Sequence, residues 1–233
     1  MYEKETIIDK IGKVITKLAT ALIMNLTFIA CCIPIVTIGQ AWSGLLSALR
    51  FQIRGESWWA GFKFGFKTRF LRGTVAWLLL GGLDIIMLID VLQYTFGYVG
   101  GQNSIVYAIA SCIMFALTAM LTMSFLVLNV YIPTDVNTWI RNAASVLFRA
   151  PLQLLGAAAA FWMPVFLCAY LPHYFYYFIM VFVVVYFTLA GLATTVLLKN
   201  VLLNLLIAAR ADGTLLAEEG RGAMPDDEDD EEE

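Results

Sequence analysis

Histidine occurs once in these 233 residues, at position 173, and none of the four cysteines is spaced Cys-x-x-Cys. That scarcity removes the commonest zinc and redox arrangements, so no metal site and no cofactor is expected. Ser-His-Asp, Cys-His and paired-carboxylate arrangements are missing too, and Lys199-Asn200 lacks the glycines of a phosphate loop. The chain is therefore not expected to be an enzyme. Cys31, Cys32, Cys112 and Cys168 all fall within apolar runs and are expected to be buried, reduced thiols. His173 falls at a predicted outer turn and reads as an interface residue.

Charge is missing over still longer distances. Residues 18–49, 91–134 and 150–198 contain no Asp, Glu, Lys or Arg at all. The chain is 61% hydrophobic with a mean hydropathy of +0.78, well above the roughly 45–50% apolar content of a soluble domain. It reads as an all-α, polytopic integral membrane protein whose first partner is the lipid bilayer. The apolar run after Lys17 outlasts the about 7–15 residues of a cleaved signal and is expected to stay as an anchor.

What is present is punctuated. At about 1.5 Å per residue, the first uncharged block is too long for one crossing of about 20 residues and too short for two full ones. Pro34 and Gly39 break it in the middle, which predicts a hairpin whose second helix is short. Gly97 to Asn103 split the second block and Pro172-His173 the third, so three hairpins give about six membrane helices, with five spans plus a re-entrant segment as the alternative. All 15 Lys and Arg lie outside the three blocks. Three hairpins put every cation on one side, and the positive-inside rule then makes both termini cytoplasmic.

Residues 1–17 carry Ile7, Ile8, Ile11, Val14 and Ile15 at helical spacing and predict an amphipathic lead-in on the membrane surface. Two further segments predict cytoplasmic interfacial helices. Trp59, Phe62, Phe66 and Phe70 form one helical stripe among Lys63, Lys67, Arg69 and Arg72, and a second pattern runs from a cap at Thr134 or Asp135 to Ala150. The first mixture of rings and cations would also suit nucleic acid, but beside this much membrane it points to anionic lipid, and no nucleic-acid partner is expected. Residues 1–210 form the expected membrane domain. From 211 to 233 the chain turns small and acidic, ending in eight successive acids, and a disordered cytoplasmic tail is expected.

Asp84 and Asp90 are the acidic residues at membrane depth, where an ionisable group costs roughly 2.5–3.5 kcal/mol to insert. With Asn25 they make the candidate intramembrane polar site, Asp84 binding a cation or proton or else bonding to Asn25 or Asn129 across helices. Pro34 and Gly39 are the candidate hinge, and Arg141 and Arg149 the candidate partner-docking residues.

Asn25-Leu26, then Pro34-Ile35-Val36-Thr37-Ile38-Gly39-Gln40-Ala41, Arg54-Gly55-Glu56 and Phe62-Lys63-Phe64, together resemble the opening of the YesL-like family of bacterial membrane proteins. Gln40 stands where that family usually has proline. A second similar stretch runs from Tyr131-Ile132-Pro133 through Asn142-Ala143 to Arg149-Ala150-Pro151, so the resemblance covers roughly residues 10–205. It implies a bacterial plasma-membrane protein of unknown activity, encoded near carbohydrate ABC-transporter components. Two functions follow as expectations: an accessory or regulatory component of carbohydrate uptake that meets transporter subunits, or a small stand-alone transporter or channel using Asp84.

Overall fold

A computed structural model describes residues 7–96, 105–132, 134–170 and 185–211. The expected turns at Gly97–Asn103 and Pro172-His173, and the acidic tail, lie outside the described residues. Those described are helical throughout, without a strand: α1 (Ile7–Cys32), α2 (Ile38–Ile53), α3 (Trp58–Lys67), α4 (Phe70–Ala76), α5 (Gly82–Phe96), α6 (Ile105–Tyr131), α7 (Val136–Arg149), α8 (Pro151–Tyr170) and α9 (Phe187–Ala211). A π-helical turn, Trp77–Gly81, joins α4 to α5 into one rod. The expected lead-in is continuous with the first span, because no proline separates Ile7 from Cys32 and the helix runs on through Gly12.

Five of these helices are long and apolar enough to cross a membrane: Ile15–Cys32, Phe70–Thr95, Ile105–Tyr131, Pro151–Ala169 and Phe187–Ala208. α2 is the short sixth. Its 16 residues extend about 24 Å against a hydrocarbon core of about 30 Å. Six membrane helices with a short second one, and five spans with a re-entrant α2, both fit this arrangement. Ala41 to Leu49 of α2 are buried without interruption, so this helix is the axis around which α1, α3, α4, α6 and α9 pack.

The α1–α2 turn is made of Ile33, Pro34, Ile35 and Val36, and Ile33 is 81% exposed. An exposed apolar tip suits hydrocarbon, where backbone groups must be satisfied from within the protein. They are. Thr37 Oγ1 donates to Cys31 O at 2.6 Å and is 2.8 Å from Pro34 O, and Trp77 Nε1 donates to Ile35 O at 2.9 Å. The same logic governs Pro164 inside α8. Proline leaves the carbonyl four residues back without its donor, and Tyr186 Oη donates to that Ala160 O at 2.6 Å.

At the other end of α2, Arg54-Gly55-Glu56 forms the cap. Gly55 takes φ +79°, and the N–H groups of Gly55 and Glu56 return to Gln52 O and Phe51 O, which closes the last turn in the left-handed manner that glycine permits. The chain then reverses into α3, which lies along α2 rather than apart on a surface. Gly61 and Gly65 of α3 meet Ser43, Gly44 and Ser47 of α2, a small-x-x-x-small seam that brings two backbones together. The expected rings do line up, Trp59, Phe62 and Phe66 on α3 and Phe70 at the start of α4, in successive contacts of 6.2, 6.0 and 5.6 Å, although the chain breaks at Arg69 between the two helices. Phe62 is buried on α2, while Lys63 and Lys67 remain outside.

Aromatic rings fill the centre of the bundle. Trp42 meets Phe28 edge-on at 5.9 Å and Phe161 at 5.0 Å, and Trp77 reaches Phe161 at 5.9 Å and Trp162 at 6.4 Å. All four cysteines are free. Against the expectation of burial, Cys31, Cys32 and Cys168 are half-buried and Cys112 is exposed on α6, because that face of the helix has no described neighbour to cover it.

Candidate functional site

The residues proposed from sequence as one intramembrane polar site are not brought together. Asp84 is fully buried on α5 and accepts a 2.7 Å hydrogen bond from Thr122 Oγ1 of α6, while its Oδ1 has no hydrogen-bond partner among the described residues. Asn25 of α1 is equally buried, but its Oδ1 accepts from the backbone N–H of Thr188 on α9 at 3.2 Å. Asp90 is half-buried, about 240° around α5 from Asp84. Helix periodicity separates the two acids, and Asn25 bonds to a different helix. As arranged, Asp84 and Asn25 each clip two helices together.

Pro34 and Gly39 are held rather than loose. Pro34 precedes the short 3-10 turn Ile35–Thr37. Gly39 lies in the first turn of α2 against Trp77, where an added Cβ would stand 2.5 Å from that side chain's Cβ and 3.1 Å from Leu126. What glycine supplies here is close approach of two helices.

The polar groups that do converge are at the basic end of the bundle. Gln40 Nε2 donates to Phe66 O and Thr68 O at 3.1 and 2.9 Å, satisfying carbonyls at the end of α3. Proline at this position has no amide with which to make these bonds. Arg69, in the left-handed region at φ +51°, turns α3 into α4 and donates from Nη1 to Ile132 O at 3.3 Å. One turn on, Arg72 Nη1 donates to Thr134 O at 2.7 Å, and its guanidinium lies 3.8 Å from the centre of the Trp139 ring. Two cations thus meet the C-terminal end of α6, the negative end of its dipole.

Between these contacts is a buried amide node. Gln40 Oε1 and both amide atoms of Asn129 have no hydrogen-bond partner among the described residues, and neither has Thr74 Oγ1. Gly73 makes room for them: a Cβ there would stand 2.0 Å from Gln40 Oε1 and 2.9 Å from Asn129 Nδ2. Buried amides with unused capacity are uncommon, and here they lie packed against the Gly73 backbone. The sequence signal was the departure from proline at position 40, together with an asparagine near the end of an apolar helix.

α7 is fastened over this end. Asp135 caps it, accepting from Thr138 N at 3.4 Å. Trp139 Nε1 donates to Phe125 O at 3.2 Å and Ser124 Oγ to Ala143 O at 2.9 Å, so Trp139, Ala143 and Val146 face inward. Val136, Ile140, Ala144 and Phe148, four residues apart, form an exposed ridge, with Phe148 83% exposed. Arg141 and Arg149 directly follow Ile140 and Phe148 in the chain and are exposed with them.

A family model described as a protein of unknown function, DUF624, matches residues 21–91. That segment runs from the middle of α1 into α5 and includes Gln40, the α2–α3 seam, Arg69, Arg72 and Asp84. No curated protein and no solved structure matches the chain significantly. The chain is thus a multi-helix membrane protein with a segment similar to a family whose activity is unknown.

Proposed function

We propose that this is an accessory or regulatory protein of carbohydrate uptake in the bacterial plasma membrane, working through α7 and without catalysis of its own. The observation that carries the reading is a helix pinned by Arg72, Trp139 and Ser124 whose outer ridge of Val136, Ile140 and Phe148, flanked by Arg141 and Arg149, is uncovered among the described residues. A rigid apolar ridge with basic flanks suits a partner surface that is apolar with acidic rims. The positive-inside rule assigns this end to the cytoplasm and, with it, both termini. The resemblance to the YesL-like family supplies the partner class, subunits of a carbohydrate ABC transporter; segment 135–151 is similar in placement to a permease coupling helix but lacks its Glu-Ala-Ala and glycine pattern. In this reading residues 1–210 are the membrane domain, and 211–233 an acidic tail beside it.

The test is co-purification in mild detergent from native cells grown on polysaccharide and on glucose. Recovery of permease or solute-binding subunits in near-equal amounts, lost in the triple variant Arg141→Glu, Phe148→Ser, Arg149→Glu, supports the proposal. The natural protein emerging alone, or unchanged association in the variant, overturns it. The transporter or channel reading draws support from the unpartnered Oδ1 of buried Asp84. It requires flux in liposomes that Asp84→Asn abolishes.

A further inference from the structure

Arg50 and Arg54 stand about one turn apart at the end of α2, and Lys199 meets them from α9 around a half-open pocket of about 140 Å³. Tyr131 forms one wall. Arg50 lies 5.3 Å from the centre of its ring, and its hydroxyl is 3.1 Å from Thr195 Oγ1. Leu202, Leu203 and Leu206 of α9 continue the wall in apolar form. Among the described residues, the carboxylate whose charge reaches Arg50 is Glu56, which is exposed in solvent.

Arg50 and Arg54 repel each other beside this half-open pocket more than they would in water, and Lys199 adds a third positive charge to its lining. An anion relieves that. The guanidinium fork matches phosphate oxygens bidentately, and the two hydroxyls add polar contacts beside it. The leucine wall is the other half of the argument, because a polar crest over an apolar flank, between membrane helices at their basic end, is the form of an amphiphile's site. The geometry points to a binding site for a phosphate-bearing group at Arg50, Arg54 and Lys199, filled by the headgroup of an anionic phospholipid whose chains lie along α9. Arg54 and Glu56 belong to the cap that ends α2, so occupancy would brace the α2–α3 seam.

The full-length protein in mild detergent is titrated with phosphatidylglycerol, phosphatidylcholine or inorganic phosphate, and followed by thermal melting and native mass spectrometry. Phosphatidylglycerol should raise the melting temperature with concentration and persist as an adduct, and phosphatidylcholine should do neither. Each cation removed should weaken binding about fivefold, so Lys199→Gln shows a fivefold loss and Arg50→Gln with Lys199→Gln about 25-fold. Lys17→Gln, which removes a cation exposed elsewhere, should bind as the natural protein does. If the double variant does not fold, Lys199→Gln carries the test, because that side chain is already exposed. Stabilisation by inorganic phosphate alone, lost in the same variants, supports the site and assigns it to a free anion. Equal response to both lipids, or variants that bind unchanged, overturns it.

Discussion

Replacing Gly65 by alanine tests the seam on which the bundle is built. An added Cβ would stand 2.5 Å from Ser47 Cβ and 2.6 Å from the Ser43 carbonyl oxygen. Neither neighbour can swing away, since one is the first atom of a short side chain and the other is backbone inside a buried helix. Ordinary contact begins near 3.4 Å, so α3 must back off α2 by about 0.9 Å, opening the packing along Gly61 and Gly44 as well. Overpacking of this kind costs about 1–3 kcal/mol, and alanine's better helix propensity returns up to about 1 kcal/mol. The net loss is about 1–2 kcal/mol, or a fall in melting temperature of roughly 3–6 °C for a chain of this size. Gly82→Ala is the control, because nothing lies within 4 Å of its added Cβ, and it should be stabilising by about 0.5–1 kcal/mol. Both proteins are melted in the same detergent, followed by tryptophan fluorescence and by survival on size exclusion. If Gly65→Ala melts with or above the natural protein while Gly82→Ala behaves as expected, α3 does not sit on α2 at this register.

Tyr186→Phe should cost about 1–3 kcal/mol, because it strips the donor from Ala160 O in an apolar setting. In a Pro164→Ala background, where the helix supplies its own N–H, the same change should cost measurably less, and equal costs in a double-mutant melting cycle would refute the link. Asp135 concerns pH. Its hydrogen bond from Thr138 holds its carboxyl below the ordinary value of 3.8, so its capping contribution is fully present above that value and is lost as pH falls through the lowered one. The melting difference between the natural protein and Asp135→Ala should therefore be larger at pH 7 than below pH 3, and a difference that grows on acidification would contradict the assignment.

Much of the architecture was legible because membrane helices announce themselves locally. A run such as 150–198 without a charge needs no tertiary information to be assigned to lipid, and the rings from Trp59 to Phe66 follow from helical period alone, while Phe70 joins them across the break at Arg69. Arg54-Gly55-Glu56 ends α2 for an equally local reason, since a left-handed cap is specified by the glycine itself. The candidate site was less legible. Asp84 and Asn25 stood out because polar groups in hydrocarbon are expensive, yet which helix each would bond to depends on how helices are arranged, and period says nothing of that.

The sequence by itself determined that the chain is helical and membrane-bound, that its first apolar block breaks between Pro34 and Gly39, that α2 is short, and that cations gather away from the apolar blocks. These properties belong to single segments, and each is set by solvation and backbone preference over about 20 residues. Only the tertiary structure decided that α3 lies in a glycine seam on α2, that Gln40 and Asn129 meet beside Gly73, and that Lys199 joins Arg50 and Arg54 around one pocket. Those are contacts between segments distant in the chain. They arise because small residues let particular backbones approach, and the charge or amide carried beside such a seam has no local pattern to mark its partner.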